Sequence, residues 1–136
     1  MSKNNIDRGG VIPYYIADNG DIMMMFMKPS DSRYGGKEFQ IAKGKIEEGE
    51  SIEDGAFREA AEELGLFIPN TRNHKLLGTF LGRTTVYLAE VIDKDKFGDP
   101  TDETSDVAWM TPEQFQSEGR DLHKPIVKAA LRAIQH

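Results

Sequence analysis

Four of the five glutamates from position 50 to 63 define the chemistry open to this chain. Glu50, Glu59, Glu62 and Glu63 lie in a stretch bracketed by Gly44 and Gly65. From Ile52 to Leu64 the pattern predicts a helix, with Ser51 as its N-cap and Gly65 as its stop. At about 100° per residue, Glu59, Glu62 and Glu63 share a sector roughly 100° wide. Ala56, Phe57, Ala60, Ala61 and Leu64 point in another direction, toward a core. Like charges at i, i+3 and i+4 repel, so this face calls for a positive partner. Arg58 lies about 100° round the helix from Glu59 and cannot neutralise all three. A hard divalent cation, Mg²⁺ or Mn²⁺, can, because it prefers carboxylate and water oxygens. The competing account is a solvated acidic face, the usual fate of a Glu-Glu pair.

The wider spacing bears on that choice. Gly44, five residues, Glu50, seven residues, then Arg58-Glu59-Ala60-Ala61-Glu62-Glu63-Leu64-Gly65-Leu66 resembles the Nudix box at every fixed position. Ala60 stands where that family usually places a larger aliphatic residue. Seven specified residues, each with a frequency of roughly one in fifteen, rarely match by chance in a short chain.

The resemblance implies an α/β chain, an α/β/α sandwich around a central mixed sheet, with the box as a loop-helix-loop. It implies an enzyme that cleaves a nucleoside diphosphate linked to another group, using Mg²⁺ or Mn²⁺. Position by position, Glu59, Glu62 and Glu63 resemble the metal ligands, with the Gly44 carbonyl as a further oxygen. Glu62 or Glu63 resembles the general base. Glu50 and Arg58 resemble an ion pair that locks the box, with phosphate contact as the other reading of Arg58. Glu103, six residues before Trp109, resembles an acid of diadenosine tetraphosphate hydrolases. Asp102 and Asp106 are its rivals, and a solvated acidic loop accounts for all three equally well.

Basic and aromatic residues complete the candidate set. Lys43 and Lys45 flank Gly44 within reach of scissile phosphates, though Ala42 replaces the proline that the family often places before this lysine. Arg8 precedes Gly9 and Gly10, where backbone can approach a ligand. Tyr87 is the first choice for stacking on an adenine, with Tyr34, Phe80 and Tyr14 as alternatives. Trp109 is assigned to the core, and His74 and His123 are not needed as ligands. Lys43-Gly44-Lys45-Ile46 and a downstream tyrosine resemble diadenosine polyphosphate hydrolases, while Phe39-Gln40 resembles the approach to the box in RNA 5′-pyrophosphohydrolases. The marks of ADP-ribose and coenzyme A pyrophosphatases are absent. The expected partner is therefore a small nucleotide-type substrate, first a dinucleoside polyphosphate, then an RNA 5′ end, ADP-ribose or a nucleoside triphosphate. A non-catalytic nucleotide-binding module would be expected to lose box carboxylates, and none is lost here.

The rest of the chain must position these groups. A length of 136 residues predicts one domain, 1–136, with its own core. The absence of cysteine excludes disulfides and thiolate metal sites. A net charge of −6 argues against binding long nucleic acids. Residues 1–8 show no apolar leader and no run reaches membrane-spanning length, so the expectation is a cytoplasmic protein, monomeric or homodimeric. Strands are expected over 9–17, at an edge or bulged at Pro13. Others are expected over 22–28 (apolar on both faces), 37–42, 75–81, 84–92 and 105–110. Helices are expected from Pro112 and over 122–134. The three consecutive methionines, Met23 to Met25, fit core filling.

Overall fold

In the computed structural model, which describes residues 7–135, the strands are β1 (Arg8–Ile16), β2 (Ile22–Pro29), β3 (Ala42–Lys45), β4 (Thr71–Phe80), β5 (Thr84–Val91) and β6 (Thr104–Met110). The helices are α1 (Ile52–Leu64), α2 (Pro112–Glu118) and α3 (Lys124–Gln135). The six strands form one mixed sheet in the order β4-β5-β1-β2-β6, with β3 pairing on β1. Among the strand pairs of the described residues, only β1–β5 is parallel. The segment 1–6, part of the stretch inspected for a leader, lies outside the described residues. Among the described residues, no helix is long and apolar enough to cross a membrane.

The sheet carries a core on each face, which makes the molecule an α/β/α sandwich. β2 shows why its sequence is apolar throughout. Met24 and Phe26 enter the core beneath α2 and α3, while Met25 and Met27 enter the one beneath α1. Side chains alternate across a strand, so a strand covered on both faces has no side to give to water. α1 docks closely because its contact residues are small. A Cβ on Gly9 of β1 would lie 2.9 Å from the Ala56 Cβ. Ala60, fully buried, belongs to the same interface.

Several expectations required correction. β1 is central rather than an edge. It pairs with β3 through Val11 and with β2 from Tyr14 onward, and Pro13, which has no N–H to donate, falls in the gap between those pairings. The strand expected over 37–42 is displaced to Ala42–Lys45. Upstream of it, Phe39 and Gln40 make only isolated bridges, to Gly119 and Met27. β4 starts earlier than expected, at Thr71, and absorbs two irregularities, one around Asn73, whose φ is 54°. The last helix begins at Lys124, after a 3₁₀ turn over Asp121–His123. Trp109 is partly buried, packs against the α1-side core and donates its indole N–H to the Lys94 carbonyl at 3.3 Å.

Candidate active site

α1 is held at both ends by groups that the sequence announces. The Ser51 hydroxyl accepts the Asp54 N–H, a cap worth about 1 kcal/mol. Gly65 ends the helix with φ 73°, and its N–H bonds back to the Ala60 and Ala61 carbonyls. A Cβ at Gly65 would collide with the Gly98 carbonyl, so glycine is demanded there by space as well as by φ.

Arg58 organises the loop that precedes α1. Its Nε and Nη2 form a fork on the Glu50 carboxylate at 3.1 and 2.8 Å, and Nη2 also donates to the Lys45 carbonyl at 3.1 Å. Glu50 accepts the Glu47 N–H at 2.8 Å as well, closing the turn. The remaining Nη1 reaches Glu59 and Glu62, both at 3.1 Å. The Glu50 bond, followed by these carboxylates, pushes the guanidinium pKa up; the same bond lowers that of Glu50. Arg58 thus touches two of the three glutamates Glu59, Glu62 and Glu63, and among the described residues no cationic side chain is in ion-pair contact with Glu63.

Glu63 occupies a different environment. Its Oε1 accepts the Lys43 N–H at 3.1 Å. Burial, with the negative charges of Glu59 and Glu103 behind it, pushes its pKa up to about 8 despite that bond. Glu59 is also raised, first by burial and then by Glu62 and Glu103, against the opposing pull of Arg58. The Glu59 carboxylate rests on the backbone of Gly44, where any Cβ would collide with it. Glycine at 44 therefore brings a carboxylate and a main-chain carbonyl into one place.

A cleft of about 780 Å³ opens at this point, within the usual range for small-molecule sites. Glu63, Gly44, Asp102 and Glu103 line one part of it, and Arg8, Lys43 and Arg120 supply positive charge. Among the described residues, none of these three cations forms an ion pair within 4.0 Å. Burial lowers the pKa of Lys43, and Arg8 and Arg120 lower it further. Ser30 bonds to the Asp102 and Glu103 carbonyls at 2.6 and 2.8 Å, which fixes the acidic loop against the end of β2.

Partly buried carboxylates that raise one another's proton affinity, gathered about a carbonyl, are a donor set suited to a hard divalent cation. The fit is not pre-closed. Among the described residues, no three acidic or histidine side chains already stand as a finished metal shell. Arg58 holds Glu59 and Glu62, and the Lys43 N–H holds Glu63.

Other candidates lie elsewhere. Lys45 is exposed on β3, opposite Arg8, and does not line the cleft. Asp106 pairs with Lys28 in the β2–β6 ladder, outside the cleft. Tyr87 packs beneath α1, its ring 6.1 Å from that of Phe57, and is not among the cleft residues. Phe80 and Tyr14 pack against the opposite core, whereas Tyr34 lines the cleft and is 71% exposed. His74 stacks on Phe57. His123 is fully buried, its Nδ1 accepting the Ile41 N–H at 3.1 Å, and burial with Lys43 and Arg120 nearby pulls its pKa down to about 3. Ser30, Asp31, Gln40 and Arg120 are polar cleft residues that went unrecognised as site residues in the sequence. The available signals, a glutamine in the apolar run Phe39-Gln40-Ile41-Ala42 and an arginine after Gly119, are weak.

The NUDIX domain model matches residues 10–130, so the chain belongs to the Nudix family, and it is a Nudix hydrolase. Such enzymes generally use divalent cations. Solved structures share the fold. The Ap4A hydrolase of C. elegans in a binary complex superposes with a TM-score of 0.77 at 16% identity, over 96% of this chain and 98% of that one. The Nudix hydrolase RenU of M. smegmatis gives 0.75 at 15% identity, over 96% and 88%. The NUDIX domain of Shewanella oneidensis NrtR, complexed with ADP ribose, gives 0.70 at 13% identity, over 98% and 90%.

Proposed function

We propose that this protein hydrolyses dinucleoside polyphosphates, of the diadenosine tetraphosphate type, with Mg²⁺ or Mn²⁺. The observation that carries the reading is the composition of the cleft. Carboxylates gathered around Gly44 face Arg8, Lys43 and Arg120, which form no ion pair within 4.0 Å among the described residues, and a polyphosphate complements both halves. The overall likeness to an Ap4A hydrolase agrees with it.

Glu59, Glu62, Glu63 and the Gly44 carbonyl are the groups that would hold the cation. When bound, the cation supplies charge neutralisation on the phosphates and acidifies a water molecule. Lys43, Arg8 and Arg120 bind and orient the phosphate chain and stabilise charge that grows on the leaving group. Glu63 is the better candidate for proton acceptor, because burial raises its proton affinity and it lines the cleft. Glu62, 42% exposed at its side chain and bonded to Arg58, is better placed as an outer ligand. Glu103 is proposed as a further acid at the site, since its charge is felt by both Glu59 and Glu63.

The activity is assigned to a single cytoplasmic domain over 1–136, acting as a monomer or homodimer. Incubation with Mg²⁺ or Mn²⁺ and a panel of dinucleoside polyphosphates, ADP-ribose, nucleoside triphosphates and 5′-triphosphorylated RNA, with products resolved by chromatography, tests the reading. Highest kcat/KM on a dinucleoside polyphosphate is expected. Exclusive turnover of the RNA end would replace this reading with the RNA 5′-pyrophosphohydrolase.

A further inference from the structure

The helix that carries the glutamates depends on a distant loop for its last hydrogen bonds. Its own backbone ladder runs out where the Gly65 N–H bonds to the Ala61 carbonyl, so the carbonyls of Glu62 and Glu63 need partners from outside the helix. Residues 98–104 supply them. The Thr104 hydroxyl donates to the Glu63 carbonyl at 2.9 Å, the Thr101 N–H to the Glu62 carbonyl at 2.8 Å, and the Gly98 N–H to the Gly65 carbonyl at 2.7 Å. Between Thr101 and Thr104 stand Asp102 and Glu103, both in the lining of the cleft. β6 departs from its own pattern to make the Thr104 bond. Val107 and Trp109 pack on the α1 side of the sheet and Ala108 and Met110 on the other, so strict alternation would turn residue 104 away from α1. Ser105 reverses the parity. Asp106 pairs with Lys28 and Thr104 with Pro29, which leaves Ser105 as the extra residue of a bulge. The Ser105 hydroxyl closes it, 3.3 Å from both the Lys28 and Pro29 carbonyls.

We propose that Thr104 is a positioning residue for the cation site, its bond to the Glu63 carbonyl setting Glu103 against the carboxylates of α1. The inference rests on the reading that those carboxylates hold a divalent cation, and it adds what places the loop acid relative to them. Glu103 is exposed, so its place depends on how its backbone is held. Two tethers fix that backbone. Ser30, past the end of β2, holds the Asp102 and Glu103 carbonyls on one side, and Thr104 holds α1 on the other. Glu63 itself is anchored at its carboxylate by the Lys43 N–H. A loop released from Thr104 would therefore shift Glu103 against a Glu63 that stays in place. A cation shared between two elements tolerates little change in their spacing, because Mg²⁺ demands oxygens at about 2.1 Å in near-octahedral order. Thr104 is not among the cleft residues, so it acts on the site only through that spacing.

The test measures Mn²⁺ binding to the full chain without nucleotide, from the electron paramagnetic resonance signal of free Mn²⁺. It compares wild type with Thr104→Val, which keeps the shape without the hydroxyl, Thr104→Ala, which loses both, and Thr104→Ser, which keeps the hydroxyl. Thr104→Val and Thr104→Ala are expected to bind Mn²⁺ roughly tenfold more weakly, as when a group that orients metal ligands is lost. Thr104→Ser is expected to bind like wild type. KM for nucleotide at saturating Mn²⁺ is expected to stay unchanged in all of them. In a Glu103→Gln background the Thr104→Val loss is expected to vanish, because the two changes act through one contact. Melting curves identify the folded variants. Wild-type Mn²⁺ affinity in a folded Thr104→Val or Thr104→Ala overturns the proposal. So does a Thr104→Ser as weak as Thr104→Ala, or a loss as large beside Glu103→Gln as without it. Wild-type protein that binds no Mn²⁺ removes the cation reading and this proposal with it, whereas the other failures leave that reading standing.

Discussion

Arg58 shows how one residue can serve order and chemistry together. It is the shared partner of Glu50, Glu59 and Glu62, and it ties α1 to the loop through the Lys45 carbonyl. Arg58→Ala is therefore expected to lower both Tm and kcat. Unchanged Tm, measured by calorimetry beside the kinetics, would mean that its work is confined to the substrate. Glu63→Gln separates the two roles. It removes a carboxylate that burial already disfavours, so Tm holds or rises, while kcat falls by roughly a thousandfold or more. Turnover retained in both Glu62→Gln and Glu63→Gln would count against the box as the reacting site. The glutamates were legible because their type and spacing repeat within one helix. Gln40 and Arg120 were not, because they meet only where the Arg120 N–H bonds to the Phe39 carbonyl, which joins residues 80 positions apart.

At the scale of elements, α1 and its caps were readable to the residue, whereas the strands around it were not. A helix carries its own start and stop signals; a strand's limits depend on which neighbour supplies a ladder. Thus the apolar segment before Lys43 was read as a strand, and the ladder to β1 begins only at Ala42. Tyr87 illustrates the same limit. Strand alternation places Val86 and Leu88 in the core under α3 and Tyr87, Ala89 and Val91 in the core under α1, but sequence alone does not say which side faces a ligand. Packed against Phe57, Tyr87 is expected to act through stability. Tyr87→Ala should cost roughly 1–3 kcal/mol and alter KM equally for adenine and pyrimidine substrates. A rise in KM confined to adenine substrates, with Tm unchanged, would return it to the site.

Between elements, His123 joins the 3₁₀ turn before α3 to the strand-like segment at Ile41. Its pKa falls from 6.5 in the unfolded chain to about 3 in the fold. Between those values the unfolded chain binds a proton that the folded one refuses. Its contribution is thus fully present above pH 6.5 and is lost as the pH drops toward 3, by several kcal/mol in all. His123→Leu is expected to be less stable at pH 7.5, since the Ile41 N–H loses its acceptor. The gap to wild type should narrow as the medium is acidified. Urea melts at a series of pH values check this, and a gap that stays constant would show that His123 does not titrate across folding.

For the whole molecule, two cores on opposite faces of one sheet hold the rim where β1, β3 and α1 meet. The positive and negative halves of the cleft come together there. The family and the sandwich were legible from one 23-residue box, because that box fixes a helix, its caps and its charged face. The lining of the cleft is spread over Arg8, residues of the 30–35 segment, Gln40, Asp102, Glu103 and Arg120, which no local pattern unites. The central claim is that this rim hydrolyses a polyphosphate by means of a divalent cation held on the α1 glutamates. It is tested most directly by the initial rate on diadenosine tetraphosphate as Mg²⁺ is titrated into chelator-treated protein, for wild type and Glu63→Gln side by side. The account predicts no turnover without cation, saturable activation in wild type, and a thousandfold or greater deficit in the variant at saturating cation. Full wild-type turnover in excess chelator, or equal rates for the two proteins, would contradict it.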